Sequence, residues 1–252
     1  MAVVRWLAAT LILFAATQSA SRAETPVGST ISDEVFLYMK VNPVAAQTLL
    51  PDGWTLKPWS KGAWAGANLL IILGETHSDL DGERKPRRDA GHLNMRMFTW
   101  GSNDTVKWRI FQTHSYATDD LRPSQANSRN IARIERTVSR KSRSMRHAAI
   151  SEDWEIFSGD GLLQLTMTYD ARTPRFSTQK GKVSNPDDPD GDRVSFRIEQ
   201  LSYMIHGLGR EGSLHSVSLA NSISALMPLL DGTEEVLSIR ILPLKMTERF
   251  RP

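Results

Sequence analysis

Residues 38–73 read YMKVNPVAAQTLLPDGWTLKPWSKGAWAGANLLIIL, and this stretch decides the fold. Asn42 suits the N-cap of a helix and Pro43 its first position, where the missing N–H costs nothing. Val44 to Leu50 supply the helical turns, and Pro51-Asp52-Gly53 ends them. Upstream, Ser32 to Val41 alternates. Val35, Leu37, Met39 and Val41 share one face, and Glu34, Phe36, Tyr38 and Lys40 the other, which predicts a half-buried strand. Downstream, Gly66-Ala67-Asn68 leads into Leu69-Leu70-Ile71-Ile72-Leu73, an apolar run that predicts a strand covered on both faces. Between these, Trp54, Trp59 and Trp64 are spaced by Pro58 and Gly62. They read as core and barrel-plug packing rather than as a stacking platform for a sugar or base.

Working outward, Gly74 to Gly91 reads as a polar, solvated loop. His92 to Trp100 and Thr105 to Tyr116 read as strands about a Gly101–Asp104 turn. In the second, Val106, Trp108, Ile110, Gln112, His114 and Tyr116 fall on one face, apolar at its start and polar at its end, as expected of a strand leaving a core for a cavity. Asp119 to Asn130 is a loop and Ile131 to Val138 alternates again. Gly159-Asp160-Gly161 joins Asp153–Ser158 to Leu162–Tyr169 as a hairpin. Arg172 to Asp192 reads as a second polar excursion. Strands at Arg193–His206 and Ser213–Leu219, a short helix from Asn221 to Leu230 and a last strand, Glu235–Lys245, complete the chain. The rhythm is strands without helical crossovers or repeats.

Residues 1–23 have the form of a secretory signal peptide: Arg5, a short apolar run from Leu7 to Ala16, and Ser21-Arg22-Ala23 before the cleavage point. The run is too short to span a bilayer, and no later segment is long enough either. The expectation is an exported protein, periplasmic or secreted, with one domain over residues 24–252 and no transmembrane segment after cleavage. Losing Arg5 and Arg22 from 31 basic residues leaves 29 against 28 acids, so global charge gives no reason to invoke nucleic acid. The chain has no cysteine, which excludes disulfides, thiol catalysis and Cys-zinc sites.

Motif by motif, little chemistry survives. Gly207-Leu208-Gly209-Arg210-Glu211-Gly212 is a literal G-x-G-x-x-G, but Ser213–Leu219 alternates as a strand where a dinucleotide site needs a helix. Asp188, Asp190, Asp192 and Glu199 imitate a calcium loop, yet Arg193 stands where its sharp turn needs glycine. The six histidines form no metal-binding pair, so no metal is expected, and nothing calls for a cofactor. From Arg129 to Arg146 seven basic residues face the single acid Glu135. A strand would divide them between two faces, and a solvated sheet edge is the simpler reading.

V-N-P-x-A-A-x-x-L-L-P-x-G-W followed by G-A-W-A-G-A-N-L-L-I-I resembles the N-terminal part of acetoacetate decarboxylase-like proteins. The tail, with Ser224-Ala225-Leu226-Met227-Pro228-Leu229-Leu230 before a last strand, is similar to that family's C-terminal end. The resemblance implies a mainly β fold, an antiparallel closed or conical β-barrel with two short helices around a small-molecule cavity. It also implies a cavity lysine that forms a Schiff base with a β-keto acid. In the family a neighbouring lysine lowers that lysine's pKa, and the pair has no match here: no lysine occurs between Lys107 and Lys141, and Ser128-Arg129-Asn130 stands about where it would be. Arginine stays protonated and cannot replace the nucleophile.

The expectation is therefore an exported barrel that binds a small, anionic organic molecule without Schiff-base catalysis. Gln112, His114 and Tyr116 on one strand, with Arg133 and Glu135 on a neighbour, are the candidate ligand-binding residues. The same Arg133 and Glu135 also read as an exposed pair. An enzyme of the same superfamily acting on a small keto acid, a lyase or hydrolase with His114 as general base, is the alternative. An envelope interaction module using the Arg129–Arg146 patch is another. A homo-oligomer is left open.

Overall fold

A computed structural model describes residues 25–87, 91–118, 128–144, 147–159, 161–182, 195–207 and 212–251. Residues 1–23, where a signal peptide is expected, the calcium-like Asp188–Asp192 run and the centre of the Gly207–Gly212 motif lie outside the described residues.

The chain between the first two long strands folds as its punctuation requires. Strand β1 (Thr25–Lys40) is followed by α1 (Pro43–Gln47). The Asn42 side chain accepts from the N–H of Val44 at 2.9 Å and of Ala45 at 3.4 Å, satisfying donors that the helix start leaves free. Asn68, in turn, bonds both backbone groups of Val41 at 2.8 and 2.9 Å, locking the end of β1 to the start of β3.

The remaining strands are β2 (Thr55–Leu56), β3 (Leu69–Asp81), β4 (His92–Ser102), β5 (Arg109–Ala117), β6 (Ser128–Ile131), β7 (Arg133–Ser144), β8 (His147–Ser158), β9 (Gly161–Asp170), β10 (Arg175–Lys182), β11 (Ser195–Gly207), β12 (Leu214–Asn221) and β13 (Glu235–Arg251). They form two sheets. The larger runs β10-β11-β13-β1-β3-β4-β5-β6, with β2 beside β4, and the smaller runs β12-β9-β8-β7. The chain leaves the large sheet at β6 and enters the small one at β7 across a single residue, Ala132.

The expected closed barrel is not formed. Both sheets are open among the described residues, with β10 and β6 ending one strand path and β12 and β7 the other. Burial is achieved instead by laying one sheet on the other. Val35, Leu37 and Met39 of β1, Leu69, Ile71 and Leu73 of β3 and Met95 and Met97 of β4 meet Ile134, Trp154, Ile156, Leu165 and Met167 of the small sheet in one core. The helix count also differs. Only α1 is an α-helix among the described residues, and the expected helix over Asn221–Leu230 is a three-residue 3-10 turn, Ser224–Leu226. Its apolar residues still bury Leu226, Leu229 and Leu230, so packing is kept with little helix. Two segments expected to be polar excursions carry strand. β3 continues to Asp81, and β10 occupies Arg175–Lys182, an edge strand whose charges mark it as such. Among the described residues, no helix is long and apolar enough to cross a membrane.

The inter-sheet core sets a stability test. Ile71 is fully buried there, while Val44 on α1 is 74% exposed. Ile71→Ala is expected to lower the unfolding free energy by about 3 kcal/mol in urea titrations, and Val44→Ala to change it by less than about 0.5 kcal/mol. Equal effects would contradict the layered core.

Candidate functional site

The small sheet covers one face of the large sheet, and the opposite face, partly covered by the tryptophan segment of residues 54–68, carries the candidate site. Alternation along β1 puts Glu34, Phe36 and Tyr38 on it, opposite Val35, Leu37 and Met39. Strand register then aligns rows of side chains across neighbouring strands. Arg240, Phe36, Ile72 and Arg96 form one row across β13, β1, β3 and β4. Ser238, Tyr38, Leu70, Phe98 and Gln112 form another, reaching β5.

At one end of this face sits a buried charge cluster. Glu34 is 5% exposed and Lys245 7%. Lys245 Nζ donates to Glu34 Oε2 at 2.7 Å and lies 5.6 Å from the Phe36 ring. Arg96 donates to Glu34 Oε1 at 2.6 Å. Gly74 sits across from Glu34 in register, and a Cβ there would come 3.2 Å from Glu34 Cγ, so the glycine makes room for the carboxylate. One row along, Arg240 donates to Ser202 Oγ at 2.6 Å and to the Tyr38 hydroxyl. The proline before Leu244-Lys245 and a register shift in β1 between Ser32 and Glu34 bring Lys245 and Glu34 together.

The electrostatics follow from burial and count. Burial alone would push the Glu34 carboxyl up, but Lys245 and Arg96 reverse this and hold it below the usual carboxylate value. Burial pulls the Lys245 ammonium down; Glu34 opposes that, and Arg96 and Arg240 add to it. Two cationic side chains, Lys245 and Arg96, thus share one carboxylate, and Arg240 stands close enough to act on Lys245. Arg96 Nε is buried without a hydrogen-bond partner among the described residues. The arrangement can accept an anion, because a buried excess of positive charge is costly until something neutralises it.

The opposite face of β1 carries a different cluster, in the core between the sheets. Arg136 bonds Asp33 at 2.7 Å, Glu75 at 2.9 Å and Glu152 at 2.8 and 3.0 Å, and lies 4.8 Å from the Trp154 ring. Trp154 Nε1 and the Tyr169 hydroxyl both donate to Glu152. Burial and the neighbouring Glu152 push the Tyr169 phenol up, and burial raises Tyr203 to about 12. Asp33 and Glu75 come from the large sheet and Arg136 and Glu152 from the small one, so this network joins the two layers.

The sequence-derived candidates are not brought together. A register shift between Met97 and Phe98 inserts Thr113 as an extra residue in β5, so side chains beyond it change face. Gln112 stays in the Tyr38 row. His114 pairs with Met97, and Tyr116 with Met95, on the core side. His114 is buried, which lowers its pKa and favours the neutral ring, and its Nδ1 lies 3.2 Å from Thr113 Oγ1. Arg133 and Glu135 lie on the outer side of the small sheet, 66% and 55% exposed, paired at 3.6 Å. Arg133 also lies over the Phe157 ring at 3.9 Å. The basic window is divided as well: Arg133 and Lys141 are exposed, and Arg136 is consumed by the core network. The side chains of Arg129, Arg143 and Arg146 lie outside the described residues. No local sequence pattern singles out Glu34, Arg96, Arg240 and Lys245 as a group. The available signal was a lone lysine in the apolar segment Ile239–Met246. Among the described residues no group of His, Asp or Glu is placed to hold a metal.

Glu34→Gln leaves Lys245 and Arg96 without their carboxylate, whereas Lys245→Met leaves Glu34 on Arg96. Glu34→Gln is expected to cost about 3–5 kcal/mol and Lys245→Met clearly less, by denaturant titration; the reverse order would contradict the charge count. Because the Glu34 pKa is depressed, its contribution is complete above its ordinary 4.5 and is lost as pH falls through the folded value. The lowered Lys245 has the opposite profile. Its cost persists below the folded value and fades as pH rises toward 10.5. Stability measured against pH should therefore fall on acidification, with a shallower fall in Glu34→Gln.

No protein-family model matches the chain, and no curated protein matches it in sequence. Solved structures do. An acetoacetate decarboxylase-like enzyme from Sphingomonas wittichii RW1 superposes with a TM-score of 0.52 at 12% identity, over 90% of this chain and 93% of that one. The enduracididine biosynthesis enzyme MppR, complexed with the condensation product of pyruvate and imidazole 4-carboxaldehyde, does so with a TM-score of 0.51 at 12% identity, over 93% and 90%. With its two long-strand layers and the α1 punctuation, the chain has the acetoacetate decarboxylase-like fold.

Proposed function

We propose that this is an exported protein that binds a small organic anion on the Lys245–Arg96–Arg240 face of its large sheet, without forming a Schiff base. The observation that carries the reading is the charge count: among the described residues Lys245 and Arg96 both bond the single carboxylate Glu34, and Arg240 adds a third positive charge near Lys245. A carboxylate would supply the second acceptor that Arg96 Nε lacks. Gln112, in the Tyr38 row, is proposed as a polar neighbour of the same face. The fold is shared with MppR, whose structure holds a pyruvate condensation product, and this agrees with a small organic acid as ligand. Export rests on the form of residues 1–23 and is tested by N-terminal sequencing of the mature protein from cell fractions.

A second reading is favoured by one observation, the buried Lys245 with its ammonium destabilised by burial. A neutral amine is a nucleophile. In this reading Lys245 Nζ adds to a keto acid's carbonyl carbon, and the resulting carbinolamine loses water to give an imine. Glu34 is placed to take the amine proton.

Calorimetric titration with acetate and pyruvate at low salt is expected to show binding that Arg96→Gln and Arg240→Gln each weaken by about tenfold or more. Arg133→Gln, on the outer side of the small sheet, should leave it unchanged. Affinity should fall as pH rises through the lowered Lys245 value, because the ammonium is lost. No binding of any small carboxylate would overturn the proposal. Borohydride added to a keto-acid mixture separates the two readings: no adduct is expected, and a reduced adduct on Lys245 would establish the second.

A further inference from the structure

We infer that the ligand carries an aromatic body behind its acid, so that this face takes an aryl-alkyl carboxylate, a ring joined to a carboxylate by a short apolar spacer. The inference rests on the anion-binding reading above and specifies what lies beyond the acid.

The face has a polarity gradient along its strands. On β1 it passes from Glu34 through Phe36 to Tyr38, and on β4 from Arg96 through Phe98 to Trp100. Two residues of strand, from the Arg96 row to the Phe98 row, span about 7 Å, which is within the reach of such a molecule. Tyr38 joins the two ends directly. Its hydroxyl is bonded by Arg240, and its ring stacks on Trp64 at 4.9 Å with the planes 18° apart. From there Trp59 makes edge-to-face contacts with Trp64, Trp100 and Trp108, at 5.8, 5.7 and 5.6 Å.

Packing alone explains Trp100, which is 1% exposed, but not the whole cluster. Trp108 is 44% exposed against Trp59. The indole N–H groups of both Trp64 and Trp100 are buried without an acceptor among the described residues. Buried indole donors ordinarily find a partner. An aromatic ligand offers what this end lacks: a further ring for edge-to-face packing, and a π-face or ring oxygen as a weak acceptor. The cations at the other end fix its orientation.

The test uses the full chain and three probes: acetate, 3-phenylpropionate and the uncharged 3-phenylpropanol. Tryptophan fluorescence and calorimetry are followed together. The expected result is 3-phenylpropionate binding at least about tenfold tighter than acetate, quenching the fluorescence as it saturates, with 3-phenylpropanol weaker than either acid. Trp59→Leu should bring the ratio of the two acids' affinities toward one. Trp108→Ala, at an exposed position where folding is not at issue, should reduce the same ratio. Equal affinity for acetate and 3-phenylpropionate would overturn this inference and leave the anion site standing. Failure of both acids to bind would remove both.

Discussion

Strand β1 is covered on both faces, and the rest of the structure answers to that constraint. It lies between β13 and β3 inside the large sheet, the small sheet packs on one side, and the tryptophan segment of residues 54–68 covers part of the other. Every side chain from Glu34 to Met39 must therefore be apolar or compensated. The adjacent acids Asp33 and Glu34 show the consequence, because consecutive residues of a strand face opposite ways. Asp33 meets Arg136 in the layer between the sheets. Glu34 meets Lys245 and Arg96 on the far side.

The two compensations differ in kind. On the inner side one arginine is surrounded by three carboxylates from both sheets. That network joins the two layers. On the outer side the balance is reversed, with more cation than carboxylate and an unused guanidinium nitrogen. Buried ion pairs are weak grounds for claiming stability but good grounds for asking what completes them. The proposed small-acid site rests on that surplus of positive charge beside an aromatic surface.

Local chemistry was legible in the sequence, and long-range register was not. The Asn42-Pro43 start, the Leu69–Leu73 run and the Ser158–Gly161 hairpin are written in caps, glycines and apolar length, which act over a few residues. The bulge at Thr113 is invisible to alternation, yet it sends His114 to the core and leaves Gln112 outside. One residue of parity likewise separates exposed Arg133 and Glu135 from Arg136, the arginine that matters to the core. The open sheets differ from the expected barrel because closure depends on whether distant edges such as β6 and β10 meet, and no local pattern encodes that. The lysine sought in mid-chain has no counterpart there; the buried one, Lys245, sits in the last strand and reaches Glu34 only through register with β1.

The central claim is a buried surplus of positive charge on the outer face of the large sheet, and an anion that scatters anomalously tests it most directly. Crystals soaked in bromide should show an anomalous peak within hydrogen-bonding reach of Lys245, Arg96 or Arg240, retained at bromide concentrations too low to label exposed arginines such as Arg133. Peaks confined to exposed basic residues, with none on that face, would contradict the account.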